Sequence, residues 1–293
     1  LETLGMVTDA KWVNVLGDAR EELVIVGEWM APVVLTWEAG KLVPAPSNLN
    51  QYPGWWYAIA FDDVDGDGDQ DLILGNRGEN FYFSGSPEAP AKLWVSDFDN
   101  NGTIEKVITQ SLQGRGMPPP MKSELTGPAV SPKKQNLRHA EYANRSIQEL
   151  FSADVIRQAY QIQATYFRSA VAINEGNGQF SLKPLPPEVQ FSCVCDIYCT
   201  DLNGDGRKDL ILGGNDSGFT PQFSRLDASF GHVLLNQGDG TYQRLESGAS
   251  GLFIRGDIKQ WLPLKMGQRD YLLTLINQQA ARMFMLPTAK MPE

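Results

Sequence analysis

Histidine and cysteine are scarce in this chain, which holds two of the first and three of the second in 293 residues. His139 falls in a segment with helical patterning and His232 beside a strand glycine; neither has a nucleophile in a recognisable motif. No GxSxG, HExxH or P-loop pattern occurs, which removes the usual serine hydrolase, zinc protease and nucleotide-hydrolysing signatures. Both histidines are read as structural, and the chain as a non-enzyme. Carboxylate-based glycoside cleavage stays open, because acid pairs abound. Cys193, Cys195 and Cys199 lie in one short stretch and cannot form a disulfide framework. The CxCx3C spacing, with no histidine near it, makes a poor zinc site. Their parity places all three on one face of a strand, as small buried hydrophobes.

Positive charge is also short. Lys and Arg total 25 against 35 Asp and Glu, for a net charge of −10 and a pI near 4.8. Nucleic acid and anionic membranes want a basic face, so neither is expected as a partner. No apolar run reaches the roughly 18 residues a spanning helix needs, so no direct membrane insertion is expected. The chain opens at Leu1-Glu2 without Met, which suggests a piece of a longer protein. The lack of a leader therefore says nothing about export.

What the sequence does have is a set of acidic loops. The stretch 63–74 reads DVDGDGDQDLIL, with Asp63, Asp65, Asp67 and Asp71 close together. Carboxylates this crowded repel one another unless a cation sits among them. The pattern returns as DFDNNGTIE at 97–105 and as DLNGDGRKDLIL at 201–212. Acids at alternating places turn inward, glycine permits the sharp bend, and a main-chain carbonyl two residues before the last acid adds an oxygen. The candidate ligands are Asp63, Asp65, Asp67, Asp69 and Asp71; Asp97, Asp99, Asn101, Thr103 and Glu105; and Asp201, Asn203, Asp205, Arg207 and Asp209. Of these, Asp69, Thr103 and Arg207 would offer only the main-chain oxygen. An EF-hand would need a bidentate Glu at its twelfth place, where Leu74, Ile108 and Leu212 stand, and helices on both flanks, which here are strand-like. All-oxygen, flexible ligands favour Ca2+ over zinc, copper or magnesium. Two calcium sites are expected at the Asp63 and Asp201 loops. A third is expected at the Asp97 loop, where Asn101 and Glu105 depart from the pattern. The alternative is a cluster of Asx turns without metal.

The loops belong to a larger repeat. ELVIVG at 22–27, DLILG at 71–75, DLILGG at 209–214 and DYLLTLIN at 270–277 each read as a strand that opens on an acid. A second phrase reads strand, glycine turn, strand, in LTWEAGKLV, AINEGNGQFSL and VLLNQGDGTYQRL. An interval of about 50 residues suits four-stranded propeller blades. The fold expected is all-β: a complete or partial β-propeller of four to five blades, with residues 1–293 as one domain. The outer copies keep the frame without the ligands. These are Asn14, Leu16, Asp18 and Glu22 with Ala19 in the glycine place, and Leu262, Leu264 and Met266 before Gly267 and Asp270.

A Pro-rich and helical insertion is expected at 113–167. It opens with GMPPPMKSEL. RHAEYANRSIQELF follows as a helix with Tyr142, Ile147, Leu150 and Phe151 on one stripe, then a helix through DVIRQAYQI capped by Ser152. The sequon Asn144-Arg145-Ser146 falls mid-helix on this reading. Among the seven tryptophans, Trp29, Trp37, Trp55, Trp56, Trp94 and Trp261 suit packing between sheets, with sugar stacking as the alternative. GFTPQFSRLDASFG at 218–231 is a long polar-aromatic connection. Its Arg225 and Asp227 are candidates for a binding surface.

The acidic loop followed by DLILG, paired with a strand ending NxGDGxF/Y, resembles the FG-GAP/VCBS repeat shared with integrin α-subunit propellers. VGEWMAPVVLTWEAGKL at 26–42 and GWWYAIAFDDVDGDGDQDLILGN at 54–76 are similar to bacterial surface proteins of the ASPIC/UnbV-associated class. DFDNNGTIE, HAEYANRSIQELF, LKPLPPEVQF and RLDASFGHVLL resemble the C-terminal part of that class. The resemblance implies an exported, calcium-bearing propeller at the bacterial cell surface, outer-membrane-associated or periplasmic, and the C-terminal part of a larger protein. It implies no reaction. The expected role is a binding or scaffold module for adhesion or ligand recognition, with other proteins of a surface complex or a glycan as partner. The alternative is a polysaccharide-degrading lyase or glycosidase, or a carbohydrate-binding accessory.

Overall fold

The computed structural model describes residues 3–119, 139–218 and 225–287. Most of GMPPPMKSEL and the middle of the 218–231 connection lie outside these. The described chain is mostly strand, in antiparallel sheets with few helices.

Acid-led runs of β-branched and aliphatic residues form the inner strands, as their propensity favours. Strands are numbered in chain order. In the first sheet β1 (Met6–Val13) pairs with β2 (Glu22–Met30), which pairs with β3 (Val33–Glu38), which pairs with β4 (Lys41–Pro44). The second has β5 (Gly54–Asp62), β6 (Asp71–Asn76), β11 (Ala170–Asn174) and β12 (Phe180–Pro184) side by side. These two run together as one eight-stranded sheet, joined through β5 and β2, with β1 branching from β2. A third sheet orders β13 (Val194–Thr200), β14 (Asp209–Gly214), β15 (His232–Asn236) and β16 (Tyr242–Leu245). The last has β17 (Ile258–Met266), β18 (Arg269–Ile276) and β19 (Arg282–Met285).

The sheets share a detail the sequence hides. The first strand of each carries a register shift: between Val7 and Asp9, Trp56 and Ala58, Val194 and Asp196, and Ile258 and Gln260. Such a bulge bends the strand and re-aims the next side chain. Asp9 Oδ2 thereby accepts from Ile59 N at 3.0 Å, and Asp196 Oδ2 accepts from Trp261 N, so a carboxylate pins each of two sheets to its successor. The bulge at Cys195 also interrupts the parity that placed three cysteines on one face. Cys193 is buried, its sulfur 3.5 Å from that of Cys195, while Cys199 packs against the core under the second and third sheets. That core includes Ile73, Val171, Leu210, Leu212 and Leu234. Each such side chain contributes about 1.5–3 kcal/mol, an upper bound set by the extended-chain reference.

Glycine at the end of DLILG has a steric cause. A Cβ on Gly75 would stand 2.5 Å from the Val194 carbonyl oxygen, and one on Gly213 would stand 2.3 Å from Ile258 Cγ2. The first strand of the following sheet crosses at these two points.

Contacts divide the chain into two compact units, one of 1–51, 55–81 and 167–293, the other of 52–54 and 82–166. The second unit is thus wider than the 113–167 segment expected to be inserted, and it includes the Asp97 loop. Its sheet is ordered β10 (Tyr160–Ala164), β7 (Ala91–Ser96), β8 (Glu105–Leu112), β9 (Arg115–Met117). Helices α1 (His139–Ala143), α2 (Ile147–Leu150) and α3 (Ala153–Gln158) accompany it. Tyr142, Ile147, Leu150 and Phe151 do share an apolar cluster, with Trp94 and Val107 of this sheet and Phe98 of the loop between β7 and β8. Ser152 Oγ caps α3 by accepting from Val155 N at 3.4 Å. Two expectations are corrected. The chain breaks after α1, where Ser146 and Glu149 form a capping box for α2, so the Asn144 sequon sits at a break rather than mid-helix. The second helix stops at Gln158, because Tyr160–Ala164 pairs with β7 as a strand instead.

Candidate metal centre

One construction recurs at four loops. The residue before each loop pairs with the acid after it: Val13 with Glu22, Asp62 with Asp71, Ser96 with Glu105, and Thr200 with Asp209. An apolar residue in second place is buried each time, as Val15, Val64, Phe98 and Leu202. Its amide donates to the closing acid, at 3.1 Å from Val15, 2.9 Å from Val64, 2.9 Å from Phe98 and 2.9 Å from Leu202. All four closing acids are buried. This acid therefore holds the loop mouth shut whether or not a cation is near.

The last copy departs from the expected frame. Leu262 and Leu264 pair with Leu273 and Tyr271 inside the β17–β18 ladder, and Met266 pairs with Arg269 across a tight turn at Gly267, φ 64°. With no acid cluster to hold open, the apolar alternation simply extends the strand.

In the Asp63 loop, Asp63 accepts from Gly66 N at 2.7 Å and Gly68 N at 3.1 Å. Both glycines have positive φ, 82° and 98°, which turns successive amides inward. Asp65 and Asp67 accept from the amides two residues on, at 3.3 and 2.9 Å. Oxygens of Asp63, Asp65 and Asp71 lie within 4.8 Å of one another, while Asp67 is outside that group and exposed. Burial pushes the Asp71 carboxyl up to about 6 against two amide bonds that lower it, with Asp65 and Asp67 adding to the rise. Asp65 is raised as well, by burial and then by Asp67.

The Asp97 loop repeats this in the second unit. Asp97 accepts from Asn101 N and Gly102 N, at 3.0 and 2.8 Å, and Asn101 Oδ1 accepts from Thr103 N at 2.7 Å. Asp97, Asp99 and Glu105 form a second group within 4.8 Å. Glu105 Oε1 is buried and has no hydrogen-bond partner among the described residues, an arrangement that suits a cation.

In the Asp201 loop Asp201 accepts from Gly204 N at 2.6 Å and Gly206 N at 2.9 Å, and Asp205 accepts from Arg207 N at 2.8 Å. Asn203 stands where Asp65 does and donates to Asp205 Oδ2 at 3.1 Å. Among the described residues this loop does not form a third three-acid group. Burial raises the Asp209 carboxyl, partly offset by amides of Asn236 and Leu202. In the Asn14 loop Arg20 donates to Asp18 Oδ2 at 3.1 and 2.7 Å, so a side-chain cation takes up the acid that remains.

The donor set of the first two loops fits a hard cation. Asp63, Asp65 and Asp71, or Asp97, Asp99 and Glu105, would hold it, and it would supply charge neutralisation.

Two asparagines complete the loops and were not singled out from the sequence. Asn174 N donates to Asp71 Oδ1 at 2.7 Å, and its Nδ2 reaches Gln70 O and Val15 O, both at 3.1 Å. Asn236 does the same for Asp209 at 2.9 Å, with Nδ2 on Lys208 O at 3.2 Å and Val64 O at 2.7 Å. Each ties its own loop to the loop of the preceding sheet. Both open the NxG turn of the second phrase, and that shared place was the available signal.

Of the other singled-out residues, Trp29, Trp55, Trp56, Trp94 and Trp261 are buried, and Trp37 is 55% exposed. His232 is buried; the side chain of His139 is outside what is described.

No curated protein matches the chain. The FG-GAP repeat matches residues 55–89, which span β5, the Asp63 loop and β6; the chain carries an FG-GAP repeat there.

Proposed function

We propose that this chain is a calcium-stabilised, exported β-propeller that acts in adhesion or ligand recognition, as a binding or scaffold module of a bacterial surface assembly. The antiparallel sheets are then its blades, and the chain the C-terminal part of a larger protein of the ASPIC/UnbV-associated class. Its partners are other proteins of that assembly or a glycan. The observation that carries this reading is the recurring loop, with the same ladder pair, buried apolar plug and closing acid, two copies of which gather three carboxylates within 4.8 Å. An FG-GAP repeat is compatible with a ligand-binding or adhesion module. The loop acids are engaged by backbone amides, which favours a structural over a catalytic role for them. Calcium titration of the metal-free protein, followed by calorimetry, tests the metal. Incubation with plant and algal glycans tests the role: retention without new reducing or unsaturated ends supports it, and turnover would favour the polysaccharide-degrading alternative.

A further inference from the structure

Residues on the segments 225–230 and 255–257 and on the turn after β18 line a polar cavity of about 510 Å³, whose walls include Arg225, Asp227, Phe230, Arg255, Asn277 and Gln278. Its base is fixed. Asp216 and Leu226 exchange both backbone hydrogen bonds, at 2.8 and 3.1 Å. Buried Asn215 donates to Ser229 O at 2.7 Å and Gly256 O at 2.9 Å. Buried Asp257 accepts from Ser217 N at 3.1 Å and from its Oγ at 2.5 Å. These groups have their partners already.

The groups at the mouth do not. Arg225 and Arg255 are exposed, and among the described residues neither guanidinium makes an ion pair or hydrogen bond. The same holds for the side chains of Asp227, Asn277 and Gln278. Phe230 stacks on Phe253 with centroids 4.6 Å apart and planes at 11°, and the Arg255 guanidinium lies 5.7 Å from the Phe253 ring. A paired aromatic wall, two guanidiniums and free amides therefore border one preformed cleft.

We propose that this cleft binds a carboxylated saccharide, a chain containing uronate sugars. Guanidinium is the side chain best matched to a carboxylate. Amides and a carboxylate suit ring hydroxyls, which both donate and accept, and the Phe230 ring offers an apolar surface to sugar C–H groups. Asp227 disfavours a compact multiply charged anion such as phosphate. An acidic peptide would leave Asn277, Gln278 and Asp227 without hydroxyl partners. The proposal rests on reading the chain as a recognition module.

The test is calorimetric titration of the calcium-loaded protein with oligomers of galacturonate, glucuronate and mannuronate. Each is run beside its methyl ester and beside an oligoglutamate peptide, at fixed free calcium. We expect saturable binding of at least one uronate, abolished by esterification. Arg225→Gln or Arg255→Gln should weaken it about tenfold or more, as loss of a charge-assisted contact does, with thermal unfolding unchanged because both side chains are exposed. Absence of saturable uronate binding, equal binding of the ester, or tighter binding of the peptide overturns the proposal. Uronate binding unaltered when Arg225→Gln and Arg255→Gln are combined in one double variant overturns this cleft and leaves the recognition reading intact. Binding lost in the double variant but accompanied by unsaturated uronate ends supports the cleft and overturns the non-catalytic reading.

Discussion

Asn236 Nδ2 lies 2.7 Å from the main-chain oxygen of Val64, a residue 172 positions earlier, in the loop of the preceding sheet. The same side chain holds its own loop through Lys208 O, and its Oδ1 accepts from Gly238 N at 2.7 Å. One amide thus satisfies three backbone groups at a buried seam. Asn236→Ala leaves those groups unpaired and should cost roughly 2–3 kcal/mol. Asn236→Asp should cost at least as much, since a carboxylate cannot donate to two carbonyls. Urea unfolding measures both. A loss below about 0.5 kcal/mol, the range of ordinary surface changes, would show that the seam does not depend on this contact.

Gly213→Ala places a methyl group against Ile258, where the next sheet crosses. Overpacking of this kind costs about 1–3 kcal/mol. Because the nearest clash is with Ile258 Cγ2, at 2.3 Å, and the next with Trp261 Nε1, at 2.8 Å, Ile258→Ala in the same molecule should recover part of the loss. A double-mutant cycle reads this as a coupling of about 0.5 kcal/mol or more. Strict additivity of the two changes would contradict the contact.

His232 supplies the pH prediction. It is 6% exposed, and neither ring nitrogen has a hydrogen-bond partner among the described residues. Burial, with Arg244 assisting, lowers its pKa to about 4. The folded state therefore binds fewer protons than the unfolded state between roughly pH 6.5 and 4. Stability is intact above about 6.5 and falls as the pH drops toward 4, by up to about 3 kcal/mol. Replacing His232 with Leu should remove that slope, so the difference between wild-type and variant stability changes across this window. Parallel curves across this window would show that the histidine does not titrate as described.

Much of this architecture was legible in the sequence, and the failures have physical causes. The closing acids Glu22, Asp71, Glu105 and Asp209 were visible because each opens an apolar run at a fixed distance from a preceding acidic or amide residue. Their second task, accepting an amide across the loop mouth, was not visible, because it depends on ladder register. Asn174 and Asn236 read as turn residues, since a contact to the preceding sheet leaves no local mark. Tyr160–Ala164 followed a helical pattern and became a strand, because pairing with β7 outweighed local propensity. Asp9 and Asp196 owe their aim to bulges, which composition does not announce.

Asp65→Asn separates the two roles of the Asp63 loop. Its hydrogen bond from Asp67 N, at 3.3 Å, can equally be accepted by an amide oxygen. Removing a charge that Asp63 and Asp67 repel should leave the metal-free protein as stable or more so. The same change removes a charged ligand and should weaken calcium binding about tenfold or more, as ligand charge sets affinity in such sites. Matched melts with and without calcium measure both. Equal calcium response in variant and wild type would remove Asp65 from the ligand set.

The most direct measurement is the unfolding curve in calcium against the same protein in excess chelator. If free calcium stands at about twenty times its dissociation constant, each filled loop adds about 1.8 kcal/mol. The melting temperature should then fall on chelation by about 2 °C or more and recover when calcium, but not equimolar magnesium, is restored. Superimposable curves in calcium and in chelator would contradict the claim that these loops hold a structural cation.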